Sequence, residues 1–275
     1  MKISVIVPIY KGEKYIQPVY EMVRKSVSAL SNEHCVEIIY VNDYPETDIK
    51  NYVEALQENE NLAIKLVTNQ ENSGIHFSRI AGLNVATGEY IMFFDQDDTI
   101  TDNYFESQIK HVKKDTDVLV GNGIAQYPDY DKLLYRYFIM QWTAKYLWFY
   151  AKFDSRIISP GQCLIRKSSI PTEWYDNIMK NNGSDDYFLW LMMLSRGAHF
   201  TINRDVLYTH VYTSTNASLD LKKMRASVNE IIAINERIKV IKPSAINPIK
   251  ERSTEGYKKP LLVRMVESIN KVKGD

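Results

Sequence analysis

Three carboxylates fall within four positions of the stretch YIMFFDQDDTITD, Tyr90 to Asp102, directly after five apolar or aromatic residues. Like charges that close repel one another, and a buried carboxylate is costly without a cation or hydrogen-bond donors to meet it. Asp95, Asp97 and Asp98 therefore anticipate something positive. Hard divalent cations such as Mg²⁺ or Mn²⁺ take oxygen ligands, and Mg²⁺ commonly uses one or two carboxylates beside water and phosphate. A spacing of two puts Asp95 and Asp97 on one side if extended backbone continues through them. Such a pair at a strand end suits a metal held jointly with a diphosphate. Two plainer readings compete. An EF-hand loop starting at Asp95 would need glycine at its sixth position, where Ile100 stands. Alternatively, the acids cap a helix beginning near Asp102 or line a solvated loop.

The elements that must position these residues follow an alternating pattern. Ile3 to Tyr10, Val36 to Asp43, Ala63 to Asn69 and Glu89 to Asp95 are apolar, often β-branched runs of strand length. Between them, Tyr15 to Leu30, Asp48 to Leu56 and Ser78 to Ala86 carry helical periodicity. Strand and helix alternating at this spacing predict βαβ units and a mostly parallel sheet covered on both faces. Ligands of such open sheets bind outside the carboxyl ends of the strands. Three of the expected strands end in Pro8-Ile9-Tyr10, Asn42-Asp43 and the acidic cluster.

Composition sets bounds on function. The 275 residues are 45% hydrophobic and 25% charged, as in an ordinary globular protein with a substantial core. Net charge is zero, so nothing global argues for a nucleic-acid partner. Cys35 and Cys163 stand in apolar contexts far apart, which fits reduced thiols and a cytoplasmic setting better than a disulfide framework. The apolar run in MKISVIVPIY is too short for a signal peptide and no stretch reaches the length of a membrane span, so neither export nor spanning is expected. Charge is uneven, however. Arg237 to Asp275 holds ten basic residues against four acidic ones.

Four ordered segments carry a resemblance: SVIVPIYKGEKYI, VEIIYVND, NQENSGIHFSRIAGLNVATGEYIMFFDQDD and GSDDYFLWLMMLSRGAHF. They resemble the successive signatures of glycosyltransferase family 2, inverting enzymes that use nucleotide sugars on the GT-A fold. The match is close over residues 3 to 100 and looser over 160 to 220. The resemblance implies a single α/β GT-A-like domain: a nucleotide-sugar half over 1–98, an acceptor half over 99–220, and a helical basic extension over 221–275. It also implies a nucleotide-diphosphate sugar donor, a glycan or glycolipid acceptor, and Mn²⁺ or Mg²⁺.

Site roles carry over position by position. Pro8, Tyr10 and Glu13 match the wall around base and ribose, Asp43 the carboxylate that hydrogen-bonds the base, and Arg79 the arginine behind the nucleotide. Asp95 matches the residue facing ribose or metal, and Asp97 the metal ligand on the diphosphate. Asp185-Asp186 resembles the family's ED pair, with Asp186 on the catalytic-base position. The pair opens an apolar helical pattern, so the positive end of a helix dipole is expected to favour its ionisation. Departures from the family pattern are Lys11 for Asn, Asn42 for Asp, Ile80 for Asn, Asp185 for Glu, Val211 for Arg and Thr213 for His. Leu207, Tyr208, Asn216 and Ser218 match, whereas His210 is displaced from the family histidine and is not assigned to metal. Two other functions stay open: a sugar nucleotidylyltransferase, which would want a Gly-rich loop where PIYKGEKY has only Gly12, and a catalytically inactive glycan-binding relative.

Two segments have no assigned partner. Tyr127 to Phe153 is rich in Tyr, Trp and Phe, and is read either as an acceptor-binding helix or lid, or as aromatic packing of a helical subdomain. In the basic tail, Leu261, Leu262, Met265, Val266 and Ile269 can line one face of a helix starting near Pro260, with Lys258, Lys259, Lys271 and Lys273 around it. That stripe suits either an anionic membrane surface, making the protein peripheral on the cytoplasmic face, or packing on the protein itself or on another subunit.

Overall fold

The computed structural model describes residues 1–213 and 220–254. The first half alternates as its patterning requires: β1 (Lys2–Ile9), α1 (Glu13–Ser28), β2 (Cys35–Asn42), α2 (Lys50–Glu54), β3 (Leu62–Thr68), α3 (Ile75–Val85) and β4 (Tyr90–Phe93). Next come β5 (Thr99–Ile100), α4 (Tyr104–His111), β6 (Val118–Gln126), β7 (Asp131–Leu133), α5 (Phe138–Trp142), α6 (Leu147–Phe153), β8 (Cys163–Arg166) and α7 (Thr172–Asp176). The chain continues through α8 (Asp185–Ser195), β9 (Phe200–Val211), α9 (Leu221–Ile238) and α10 (Pro243–Thr254).

One sheet runs β3-β2-β1-β4-β8-β6-β9-β5, with β7 paired to β6. β3, β2, β1 and β4 are parallel neighbours, and β6 is parallel to β9. β8 enters antiparallel between β4 and β6. This places the ends of β1, β2 and β4 side by side, so loops far apart in sequence share one rim.

Both faces of the sheet are covered. In β1, Ile3, Val5, Val7 and Ile9 pack with Ile16, Val19, Val23 and Val27 of α1, while Ile6 joins Ile80 and Leu83 of α3 on the other side. The two-residue period of the strand and the 3.6-residue period of the helix produce this division. Each fully buried Val, Ile or Leu contributes about 1.5–3 kcal/mol. The face bearing α3 also carries α8, and Ile231, Ile234, Ile241, Ala245, Ile246 and Ile249 of the last two helices and their connection are part of the same core. Arg237 to Thr254, the start of the basic tail, is thus packed on the body of the protein. The stripe from Leu261 to Ile269 and its flanking lysines lie outside the described residues, as do Asn216 and Ser218.

Close approach of α3 to the sheet depends on Gly82. A Cβ there would lie 2.4 Å from Ile6 Cγ2 and 3.1 Å from Val41 Cγ2. Both neighbours belong to central strands and have little room to withdraw. Gly82→Ala is expected to lower stability by about 1–3 kcal/mol through overpacking, despite the better helix propensity of alanine. Urea denaturation should show a lower midpoint at unchanged slope.

Candidate active site

A cavity of about 1500 Å³ opens at the carboxyl ends of the parallel strands. Pro8 and Tyr10 reach it from β1, Asp43 from β2, and Asp95, Gln96 and Asp97 from the segment after β4. The N-terminal turns of α3 and α8 supply Gly74, Arg79, Asp185 and Asp186. The extended backbone expected through Asp95 and Asp97 ends earlier. β4 stops at Phe93, and the Asp98 N–H donates to the Asp95 carbonyl at 3.2 Å, closing a turn. The turn relieves crowding among three carboxylates and gives each a different neighbour.

Asp95 meets Arg79. The guanidinium donates through Nη2 to Asp95 Oδ1 at 2.8 Å and through Nη1 to Asp185 Oδ2 at 2.6 Å, and Ser159 Oγ donates to Asp95 Oδ2 at 3.3 Å. Arg79 is buried and packs over the Phe93 ring at 5.8 Å. Burial works against its charge, but Asp185, Asp95 and Asp186 outweigh that cost and hold it protonated.

Asp97 has no such partner: among the described residues no Lys or Arg pairs with it. Burial, followed by the charge of Asp95, raises its pKa above the ordinary carboxylate value. Its hard oxygens, whose charge the nearby His210 offsets only in part, fit a divalent cation. No three His, Cys, Asp or Glu side chains converge on one point among the described residues. The donor set therefore suits a cation that takes the rest of its shell from phosphate and water.

Asp98 turns away from this role. It is buried and accepts from the Tyr208 hydroxyl, from the Val211 N–H at 2.9 Å and from His210 Nδ1 at 3.1 Å. Burial pushes its pKa up to about 6 against the hydrogen bond from His210. Its contacts with β9 account for the third carboxylate: it fixes the strand that brings His210 to the cavity wall.

Asp186 occupies the first turn of α8. The expectation that the helix dipole would favour its ionisation is reversed. Desolvation, then repulsion from Asp185, pushes its pKa up to about 7, against the opposing influence of Arg79. At this part-buried carboxylate, lost hydration and the adjacent Asp185 charge outweigh about half a unit of dipole charge. Beside it, Ser184 at the N-cap makes no capping bond, and its buried Oγ has no partner among the described residues.

The remaining expected site residues divide. Asp43 lines the cavity, but its oxygens already accept from Asn69 Nδ2 at 2.8 Å, Ser73 N–H at 2.9 Å and Gly74 N–H at 2.9 Å. It therefore shapes the turn before α3, where Gly74 has φ +86°. Tyr10 is half-exposed and meets Tyr44 edge-on at 5.4 Å, with Lys11 Nζ over both rings. Glu13 does not reach the cavity; Lys14 and Tyr15 do, because each helical step turns the side chain by about 100°.

Gln96 escaped sequence reasoning. Its amide accepts from the Tyr10 N–H at 3.1 Å and donates to the Tyr10 carbonyl at 3.3 Å, tying the end of β1 to the acidic turn. Lys222, Arg225 and Arg252 of the last two helices also line the cavity and were not anticipated. None of Tyr127 to Phe153 lines it, so the aromatic segment is no wall of this site.

The model of the family described as glycosyl transferase family 2 matches residues 4–172. The chain belongs to this family. Among curated relatives, glycosyltransferase GlyG of Streptococcus pneumoniae is 31% identical over 131 residues, 47% of this chain and 40% of GlyG. The minor teichoic acid biosynthesis protein GgaB of Bacillus subtilis is 32% identical over 108 residues, 38% of this chain and 11% of GgaB. The chain thus matches less than half the length of either relative. S. aureus TarS 1-349 in complex with UDP-GlcNAc has the same fold, with a TM-score of 0.58, 19% identity, and coverage of 84% of this chain and 67% of that one. Mannosyltransferase PcManGT of Pyrobaculum calidifontis, in complex with GDP-Man and Mn²⁺, gives 0.59 and 14%, covering 98% and 79%. The family member described here has the GT-A architecture of those transferases.

A carboxylic acid whose folded pKa stands above its unfolded value of about 3.9 destabilises the fold wherever the unfolded chain is ionised. The penalty from Asp186 grows as pH rises from about 4 and is complete above about 7. Asp186→Asn is therefore expected to raise the Tm at pH 8, with the gain fading as pH falls toward 4. Thermal melts across this range check the sign.

Proposed function

We propose that this protein transfers a sugar from a nucleoside diphosphate to a hydroxyl of a glycan or lipid-linked glycan, with inversion at the anomeric carbon, in cell-surface polysaccharide synthesis. The observation that carries the reading is the convergence of Asp97, unpaired with any described Lys or Arg, and Asp186, with its pKa near 7, on one cavity beside the Arg79 clamp. The nucleotide sugars held by TarS and PcManGT, and the teichoic acid biosynthesis for which GgaB is named, support the choice of donor and acceptor class.

Each residue has a task. Pro8 and Tyr10 bound the base and ribose, Asp43 holds the turn against which the nucleotide rests, and Arg79 fixes Asp95 toward the ribose. Asp97 would hold Mn²⁺ or Mg²⁺ together with phosphate oxygens of the donor. When bound, that cation neutralises charge developing on the departing group. Asp186 takes the proton from the acceptor hydroxyl as the oxygen bonds to the anomeric carbon. The bond from that carbon to the diphosphate oxygen breaks, and its electron pair leaves with the diphosphate. Attack opposite the leaving group inverts the centre. A base titrating near 7 matches its task at neutral pH, being substantially ionised and still able to accept a proton. No helix among the described residues is long and apolar enough to cross a membrane, which suits a peripheral enzyme on the cytoplasmic face.

Paired variants test the division of labour. Asp186→Asn should reduce transfer by at least about 10²-fold while leaving nucleotide-sugar affinity near wild type. Asp97→Asn should weaken Mn²⁺-dependent nucleotide binding with the fold intact. Calorimetry of UDP- and GDP-sugars with and without Mn²⁺, beside product assays on an acceptor panel, reads both. Transfer at wild-type rate by the Asp186 variant, or nucleotide binding by the wild type that ignores metal, contradicts the assignments. Binding without turnover by the wild type across the panel favours a glycan-binding relative.

A further inference from the structure

The aromatic segment excluded from the cavity instead builds an outer surface. Phe138 is 50% exposed, Ile139 60% and Trp148 55%, and Tyr137 and Tyr146 are exposed beside them. Phe138 and Trp142 are four residues apart on α5 and share its face. Trp142 continues the surface to Tyr146, with ring centroids 4.2 Å apart, and to Phe149 at 6.5 Å, which meets Trp148 at 4.9 Å. Large apolar groups in contact and open to solvent mark an interaction surface, whereas isolated ones need no explanation.

Its charge is one-sided. From Lys132 to Phe153 the chain has four basic residues and no acidic one. Arg136 lies over the Tyr137 ring at 5.5 Å, and Arg204 of β9 over Phe138 at 5.6 Å. Arg136, Lys145 and Arg204 pair with no carboxylate among the described residues. Of the nearby acids, Asp154 pairs with Arg252 and Asp205 accepts from Ser107, while the exposed Asp129, in the turn between β6 and β7, and Asp131, at the start of β7, precede the run. A second copy docked face to face would set cations against cations, with no free acid from this run to meet them.

Trp and Tyr carry an apolar body and a polar edge, and they concentrate at the depth of lipid headgroups. Arg and Lys beside them place stems along apolar surface and charges among phosphates. We propose that the face built by α5, the start of α6 and Arg204 docks on an anionic lipid bilayer. The occupant is the membrane surface, and the contact is shallow and peripheral. α6 leads at once into Asp154 to Ile158, whose residues include wall of the cavity, and Ile158 is itself exposed. The docked face thus adjoins the cavity wall. Its use in meeting a lipid-linked acceptor rests on the transferase reading; the docking does not.

Vesicle sedimentation of the full chain without donor or acceptor tests the surface alone. The wild type is expected to pellet with mixed phosphatidylcholine–phosphatidylglycerol vesicles, to stay in solution with phosphatidylcholine only, and to be released by salt. Emission from exposed Trp148 should shift to the blue on binding. Ile139→Ser with Trp148→Ser, and separately Arg136→Glu with Arg204→Glu, should each lower partitioning about tenfold or more, with Tm and nucleotide binding unchanged. The charge pair keeps the test decisive if the aromatic pair lowers the Tm. Wild type that ignores anionic vesicles overturns the proposal, as does a folded charge variant that pellets like wild type. A solution dimer dissolved by the aromatic pair overturns it in favour of self-association.

Discussion

A buried guanidinium joins the two ends of this site. Arg79 comes from the first βαβ half, and its partners arrive from the turn after β4 and from α8, the second of them 106 positions away. Neither carboxylate nor guanidinium would be stable in this setting alone, since each isolated charge bears a desolvation cost of several kcal/mol. Together they tie the turn after β4 to the start of α8. Close packing of α3 at Gly82 sets the depth of Arg79, and Asp43 sets the turn from which α3 starts.

This arrangement distributes charge among five carboxylates. Asp95 and Asp185 share the single charge of Arg79, and Asp98 is met by donors from β9. Asp97 and Asp186 form no ion pair with a Lys or Arg among the described residues, and burial raises the pKa of each despite the opposing influence of His210 on Asp97 and of Arg79 on Asp186. The carboxylate of Asp97 suits cation binding and that of Asp186 suits proton removal, so the protein's electrostatic imbalance coincides with its expected chemistry. The last two helices complete the enclosure, with Lys222 and Arg225 on the far wall.

The first half of the fold was legible because its strands and helices obey local periodicities: β1 to β4 and α1 to α3 stand where apolar patterning places them. That Asp95 and Asp97 would reach a cavity at the strand ends was legible by type and spacing, and Asp186 was singled out by the family resemblance; all three line the cavity. What escaped depends on contacts between distant positions. Nothing local indicates that Arg79 faces Asp185 or that Gln96 grips the Tyr10 backbone. Glu37, in the middle of β2, reads as a flaw in an apolar strand. Yet Ser4, Thr87 and Lys65 meet it, and although burial opposes its charge, those bonds bring its pKa down to about 2. The sign of the shift at Asp186 was missed because a dipole can be read from helix position, whereas burial requires the packed neighbours.

The double ion pair is tested most directly by a double-mutant cycle between Arg79→Met and Asp185→Leu, read by urea denaturation. If the guanidinium is the joint of the site, Arg79→Met alone should cost about 3–5 kcal/mol, and the double variant should be markedly less destabilised than the sum of the singles, because the buried Asp185 carboxylate is then not left unpaired, while Asp95, the more exposed partner, keeps its bond from Ser159. Additive losses, or an Arg79→Met variant as stable as wild type, would contradict the account.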